Sequence, residues 1–177
     1  MTYGRIVVNY CPKKSDHNRV RLTVGGNRIN YLGDYGMRTS GMLTVKLLLN
    51  SFISTKVANF MSIDIKHFYL NTPISRYEYM RLKIAYLPHY FIDEYKLQDK
   101  KTRYGYVYLE IRKGMYGLPQ AGILAQKLLG KRLIAKVFRQ SGIYPGFGKY
   151  DWRPICFSLF VDNSGSNMWT GNTPNTS

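Results

Sequence analysis

Carboxylates are scarce in this chain: ten Asp and Glu stand against twenty-six Lys and Arg across 177 residues, a formal net charge of +16. Cysteine is scarcer still. Cys11 and Cys156 alone cannot build a disulfide framework, and with His17, His67 and His89 they show no zinc-ligand spacing. Three scattered histidines give no Ser/His/Asp or Cys/His arrangement to argue from. No apolar run approaches 18 residues, and the first residues lack the hydrophobic core of a signal peptide. Membrane spanning and secretion are therefore not expected, and a reduced, intracellular setting is. No internal repeat and no low-complexity linker divides the sequence.

What is present is basic charge, evenly spread. Residues 1–90 carry 13 basic and 4 acidic groups, and residues 91–177 carry 13 and 6. A detachable basic tail would concentrate that excess. Here the folded body itself is expected to meet a polyanion, and nucleic acid leads, because neutralising phosphates releases counterions and needs no special residue geometry. Sixteen Tyr add rings that can stack on unpaired bases, although Tyr also suits half-buried strands. Hydrophobic residues reach 45%, enough for a chain of this length to bury about 70% of its unfolded surface.

Periodicity predicts an α+β fold with helices packed on one sheet. "NRVRLTVGGN" reads as a strand ending at Gly25-Gly26. Ser40 is placed to N-cap a helix whose Val45, Leu48, Leu49, Phe52 and Ile53 recur at helical spacing. "FMSIDI" reads as a buried strand with one carboxylate in it. "EYMRLKI" alternates, with Met80, Leu82 and Ile84 on one face and Tyr79, Arg81 and Lys83 on the other, and "YGYVYLEIRK" does the same. Pro119 sits in the first turn of a predicted helix with an apolar stripe from Ile123 to Phe138 and a stop at Gly142. "PICFSLFV" reads as a buried strand ended by the turn-forming run Asp162-Asn163-Ser164-Gly165. Residues 1–169 form the folded part, and 170–177 are expected to be a polar, disordered tail.

Two carboxylates stand apart from the other eight. Asp64 lies inside "SIDI" and Asp162 ends "CFSLFV", 98 residues later. A carboxylate in an apolar strand is costly without a cation or donors. Two such Asp at neighbouring strand ends can hold divalent ions about 3.5–4 Å apart, as polymerases do for in-line phosphoryl displacement. The plainer alternatives are a solvated strand residue for Asp64 and a turn former for Asp162. "GIYPGFGKY" does not make a phosphate loop, because Tyr150 stands where Ser or Thr is needed.

Four motifs in order then resemble the copia-type reverse transcriptases. "NRVRLTVGG" is similar to their fingers strand, "MSIDIKHFYLN" to the segment of the first catalytic Asp, "KGMYGLPQAG" to Leu-Tyr-Gly-Leu-x-Gln-Ala, and "SLFVDN" to Tyr-Val-Asp-Asp. Together they span about residues 18 to 163. The resemblance implies a palm-like fold, a mainly antiparallel sheet with helices packed on one face and partial fingers, and RNA-directed DNA polymerase activity on a template–primer with deoxynucleotides. It makes Asp64 and Asp162 ligands of two Mg²⁺ ions. Tyr69 would screen the 2′ face of the incoming sugar, Gln120 would line the nucleotide pocket, and Arg19 or Arg21 would meet the triphosphate. Core packing for Tyr69, a helix-start polar residue for Gln120 and solvation for the two Arg are the bland alternatives.

The departures are as informative. Asn163 stands where the family has a second adjacent Asp, and an amide oxygen lacks the charge that helps gather two dications. Only residues 164–177 follow, so the family's thumb is expected to be missing. Inactivity as it stands is the expectation. The competing readings are a non-catalytic retroelement remnant and an unrelated basic nucleic-acid-binding domain.

Overall fold

The computed structural model describes residues 1–12, 17–34, 36, 39–153, 155–162 and 165–172, with backbone alone from 160 onward. The fold is α+β and mainly antiparallel, but its strands form two sheets where the sequence led us to expect one. The chain accordingly divides into two compact units, each built from two segments. One comprises Met1–Tyr35 and Tyr69–Gly122, the other Gly36–Phe68 and Ile123–Ser177.

The first unit holds a four-stranded sheet in the order β2-β1-β4-β5, from β1 (Thr2–Tyr10), β2 (Asn18–Val24), β4 (Pro73–Lys83) and β5 (Tyr106–Lys113). β1 and β2 pair antiparallel from Gly4↔Val24 to Tyr10↔Asn18, and β4 and β5 pair antiparallel from Glu78↔Ile111 to Lys83↔Tyr106. Only the short β1–β4 contact, Thr2↔Met80 and Tyr3↔Arg81, is parallel. The period-2 alternation of β4 is realised as read. Ile74, Glu78, Met80 and Leu82 are buried, and the residues between them are exposed. Ile84 leaves the strand for a 3₁₀ turn, Ile84–Tyr86, yet still packs on the core made by Ile92, Leu97 and Val107. Ile92 comes from the short helix α2 (His89–Glu94), so one face of β4–β5 is covered and the other is open.

The second unit holds the sheet β3-β9-β8-β7-β6. Its strands are β3 (Phe60–Asp64), β6 (Phe138–Gln140), β7 (Phe147–Tyr150), β8 (Ile155–Asp162) and β9 (Gly165–Asn172). Phe157, Ser158 and Leu159 of β8 are buried, as expected for a strand with neighbours on both sides. β9 takes in residues 170–172 of the expected tail, and 173–177 lie outside the described residues. Helix α1 (Met42–Ile53) lays Phe52 against Phe60, ring centroids 5.3 Å apart. Leu129 and Leu133 of α3 (Ala121–Ile134) line a cleft with Phe157 and Leu159. Phe60 aligns in register with Gly171 and Cys156, which alternate with Phe157 and Leu159. The helices therefore meet opposite faces of this sheet, not one face.

Three local expectations fail for identifiable reasons. The N-cap of α1 is Gly41, because Ser40 is used elsewhere: its hydroxyl donates to the Pro145 carbonyl at 3.2 Å and its N–H to Leu159 O at 3.1 Å. Strand β3 is exposed at all five residues, since it is an edge strand with β9 as its single ladder partner among the described residues. Helix α3 stops at Ile134, eight residues before Gly142. The N–H groups of Lys136 and Val137 donate to the carbonyls three residues back, Val137 takes φ +66°, and Phe138 enters β6 with its ring against Tyr150 and Phe157. Aromatic packing overrides the helical stripe there.

Candidate functional site

Asp64 and Asp162 both belong to the second unit. In register, Asp64 of β3 aligns with Asn167 of β9, and Asn167 aligns with Phe160 of β8. Asp162 lies two residues further along β8, opposite Gly165. Both β3 and β8 run antiparallel to β9, so both Asp stand at C-terminal strand ends, at one end of one sheet. A single strand lies between them. Two strand spacings come to roughly 10 Å between backbones, before the two-residue stagger is added. The positions are near neighbours, not adjacent ones.

Asp64 is exposed, not buried in an apolar strand, and makes no ion pair among the described residues. Solvation replaces the compensating cation that a buried carboxylate would have needed. Asn163 lies outside the described residues, as does Ser164 of the expected turn. As a donor set, two carboxylates and an amide oxygen suit Mg²⁺ in kind, since it prefers oxygen ligands. In charge the set falls one carboxylate short of three. Among the described residues no three His, Cys, Asp or Glu side chains gather into a metal-binding group.

The other candidates belong to the first unit. Their setting is the turn-rich stretch 114–119 between β5 and α3. The Val24 N–H donates to the Tyr116 carbonyl at 2.8 Å, and the Gly114 N–H donates to Thr72 O at 2.7 Å. These bonds pin the stretch between the end of β2 and the turn at Tyr69–Thr72. Two glycines make this approach feasible. Gly117 has φ +92°, and a Cβ there would overlap the Val24 carbonyl; a Cβ on Gly114 would meet Tyr69 O at 2.5 Å.

That docking brings Tyr116 between two of the expected residues. Its ring takes the Tyr69 ring edge-on, centroids 5.5 Å apart and planes at 88°, and the Arg21 guanidinium lies over it at 5.3 Å. Arg19 sits two residues away on the same face of β2, paired with Asn9. Arg21 is thus the arginine that shares a partner with Tyr69. Gln120 immediately precedes α3 and is 3% exposed, and its Oε1 has no hydrogen-bond partner among the described residues. Tyr116 was missed in the sequence, although it lies inside the quoted "KGMYGLPQAG". Only the glycine pattern around it hints at close backbone approach, and nothing in the pattern says which ring would be met.

Comparison of this chain with family models, with curated proteins and with solved structures finds no match.

Proposed function

We propose that the chain is a fingers-and-palm part of a reverse transcriptase of the copia type, one that holds nucleic acid but carries a weakened nucleotidyl-transfer centre. One observation carries the reading: the two motif carboxylates, 98 residues apart in sequence, end two strands at the same end of one sheet. The palm-like character of the fold is part of the same proposal.

Each residue then has a task. Asp64 and Asp162 would hold the metal, where Mg²⁺ would supply charge to neutralise a triphosphate and acidify a primer hydroxyl. Tyr69, braced edge-on by Tyr116, offers its ring to the sugar. Arg21, with its guanidinium already oriented over an aromatic face, offers bidentate donors to phosphate oxygens. Gln120 offers a desolvated acceptor that rewards a donor on the ligand. Asn163 is the weak member. In phosphoryl transfer nearly all catalysis is positioning and charge stabilisation, so a missing carboxylate is felt directly.

The test pairs metal binding with extension. Mn²⁺ titration followed by electron paramagnetic resonance should show a site that Asp64→Asn and Asp162→Asn each weaken by about tenfold or more, and that Asn163→Asp strengthens. Oligo(dT) extension on poly(rA) with Mg²⁺ should be slight for the natural chain and greater for Asn163→Asp. Mn²⁺ binding indifferent to both Asp substitutions would remove the metal centre from the proposal. Robust extension by the natural chain would show that Asn163 is no defect.

A further inference from the structure

The open face of β4–β5 has no part in the site above. Along β4 it presents Tyr77, Tyr79, Arg81 and Lys83, and along β5 Tyr106, Tyr108, Glu110 and Arg112, by strict alternation with the buried set. Tyrosines and cations are paired directly across the ladder, Arg81 with Tyr108 and Lys83 with Tyr106. Arg81 and Lys83 both lie over the Tyr106 ring, at 5.3 and 5.9 Å, and Arg112 lies over Tyr77 at 5.5 Å. Beside them Arg81, Thr102, Arg103, Tyr104, Tyr106 and Tyr108 line an open concavity of about 520 Å³.

Tyr104 is 80% exposed and Tyr108 54%, so their rings do not stabilise a core. Core packing on this sheet is done by Leu82, Val107 and their neighbours on the other face. The charge is one-sided as well. Arg81, Lys83 and Arg103 face no carboxylate partner among the described residues, and Glu110, the single acid of the face, is held by Arg112 at 2.5 Å and by the Tyr79 hydroxyl at 3.0 Å. Flat rings at strand spacing with guanidinium groups between them match the alternating bases and phosphates of an unpaired strand. A duplex presents its bases edge-on and would leave the rings idle.

We propose that this face is a platform for single-stranded nucleic acid, on which Tyr104, Tyr106 and Tyr108 stack bases while Arg81, Lys83 and Arg103 meet the backbone phosphates. The assignment stands on the first unit alone and is independent of the metal centre.

The experiment compares fluorescein-labelled dT20, an abasic strand of the same length and polyglutamate as ligands for the full chain, by anisotropy at several salt concentrations. Tyr104→Ala with Tyr108→Ala removes two stacking rings and should weaken dT20 by about tenfold or more while leaving the abasic strand nearly unchanged. Arg81→Glu with Arg103→Glu should weaken both strands and make the salt dependence shallower, each lost phosphate contact removing about 0.7 from the logarithmic slope. All four side chains lie on the surface, and an unchanged circular dichroism melt confirms a folded variant. Asp64→Asn should bind dT20 like the natural chain, which separates this test from that of the metal centre. Undiminished dT20 binding by the double Tyr variant, an equal loss on the abasic strand, or tighter binding of polyglutamate than of dT20 would each overturn the platform.

Discussion

At the residue scale, Gln120 shows how a site can be visible as a cost. A buried acceptor with no donor is destabilising by about 1–3 kcal/mol, and an apolar replacement of similar shape relieves it. Gln120→Met should therefore hold or raise the urea midpoint of the free chain while weakening deoxynucleotide binding, followed by quenching of intrinsic tyrosine fluorescence. A lower midpoint with binding intact would make Gln120 merely structural. The open sheet face offers a second case. Hydrogen bonding from Arg112 first, and from Tyr79 next, holds the Glu110 carboxyl below the ordinary carboxylate range. A depressed carboxyl stabilises the fold above its unfolded pKa, near 4.3, and that contribution is lost as pH falls through the lower folded value. Glu110→Gln removes that contribution, so Tm should fall modestly at neutral pH, the acid limb below about pH 4.3 should flatten, and the two curves should converge in acid. An acid limb identical to that of the natural chain would show the cluster to be thermodynamically idle.

Elements were legible in the sequence in proportion to how locally they are determined. The alternation of β4 and β5 gave their inner and outer faces residue by residue, because a strand with one covered face has no other way to arrange Met80, Leu82 and Val107. The stripe of α1 was legible in the same way: Val45, Leu48, Leu49 and Phe52 are half-buried, and only Ile53 escapes to 76% exposure. Burial of β3 was not legible, since "FMSIDI" is apolar enough for a central strand and its edge position depends on β9. The end of α3 was not legible either, because Phe138 obeys the helical period and is claimed by Tyr150 and Phe157 from far along the chain. Of the candidate site, the residue types were readable and the Tyr69–Tyr116–Arg21 contacts were not. Val137 marks the break in α3, a β-branched residue at φ +66°. Val137→Gly should cost nothing, or raise Tm by a few degrees, where glycine inside a helix costs roughly 0.5–1 kcal/mol. A fall of that size in a thermal melt would show that Val137 packs more than it strains.

For the molecule as a whole, net charge and the open sheet face predict binding that salt erodes. Three cations without a carboxylate partner, Arg81, Lys83 and Arg103, already imply a slope of about −2 in log K against log salt for a single strand, and the rest of the +16 should steepen it. A flat response between 50 and 200 mM salt would leave that charge without a phosphate-binding role. The division into units that each own two stretches of chain also sets an order of assembly on the ribosome. Every segment of the first unit has been made once residue 122 is added. Strand β3 belongs to the second unit, and its ladder partner β9 begins at Gly165. For about a hundred residues of synthesis, Phe60–Asp64 must wait as an unpaired edge bearing exposed Met61 and Ile63. Nascent chains stalled in that interval are the ones most open to capture by a chaperone or by each other.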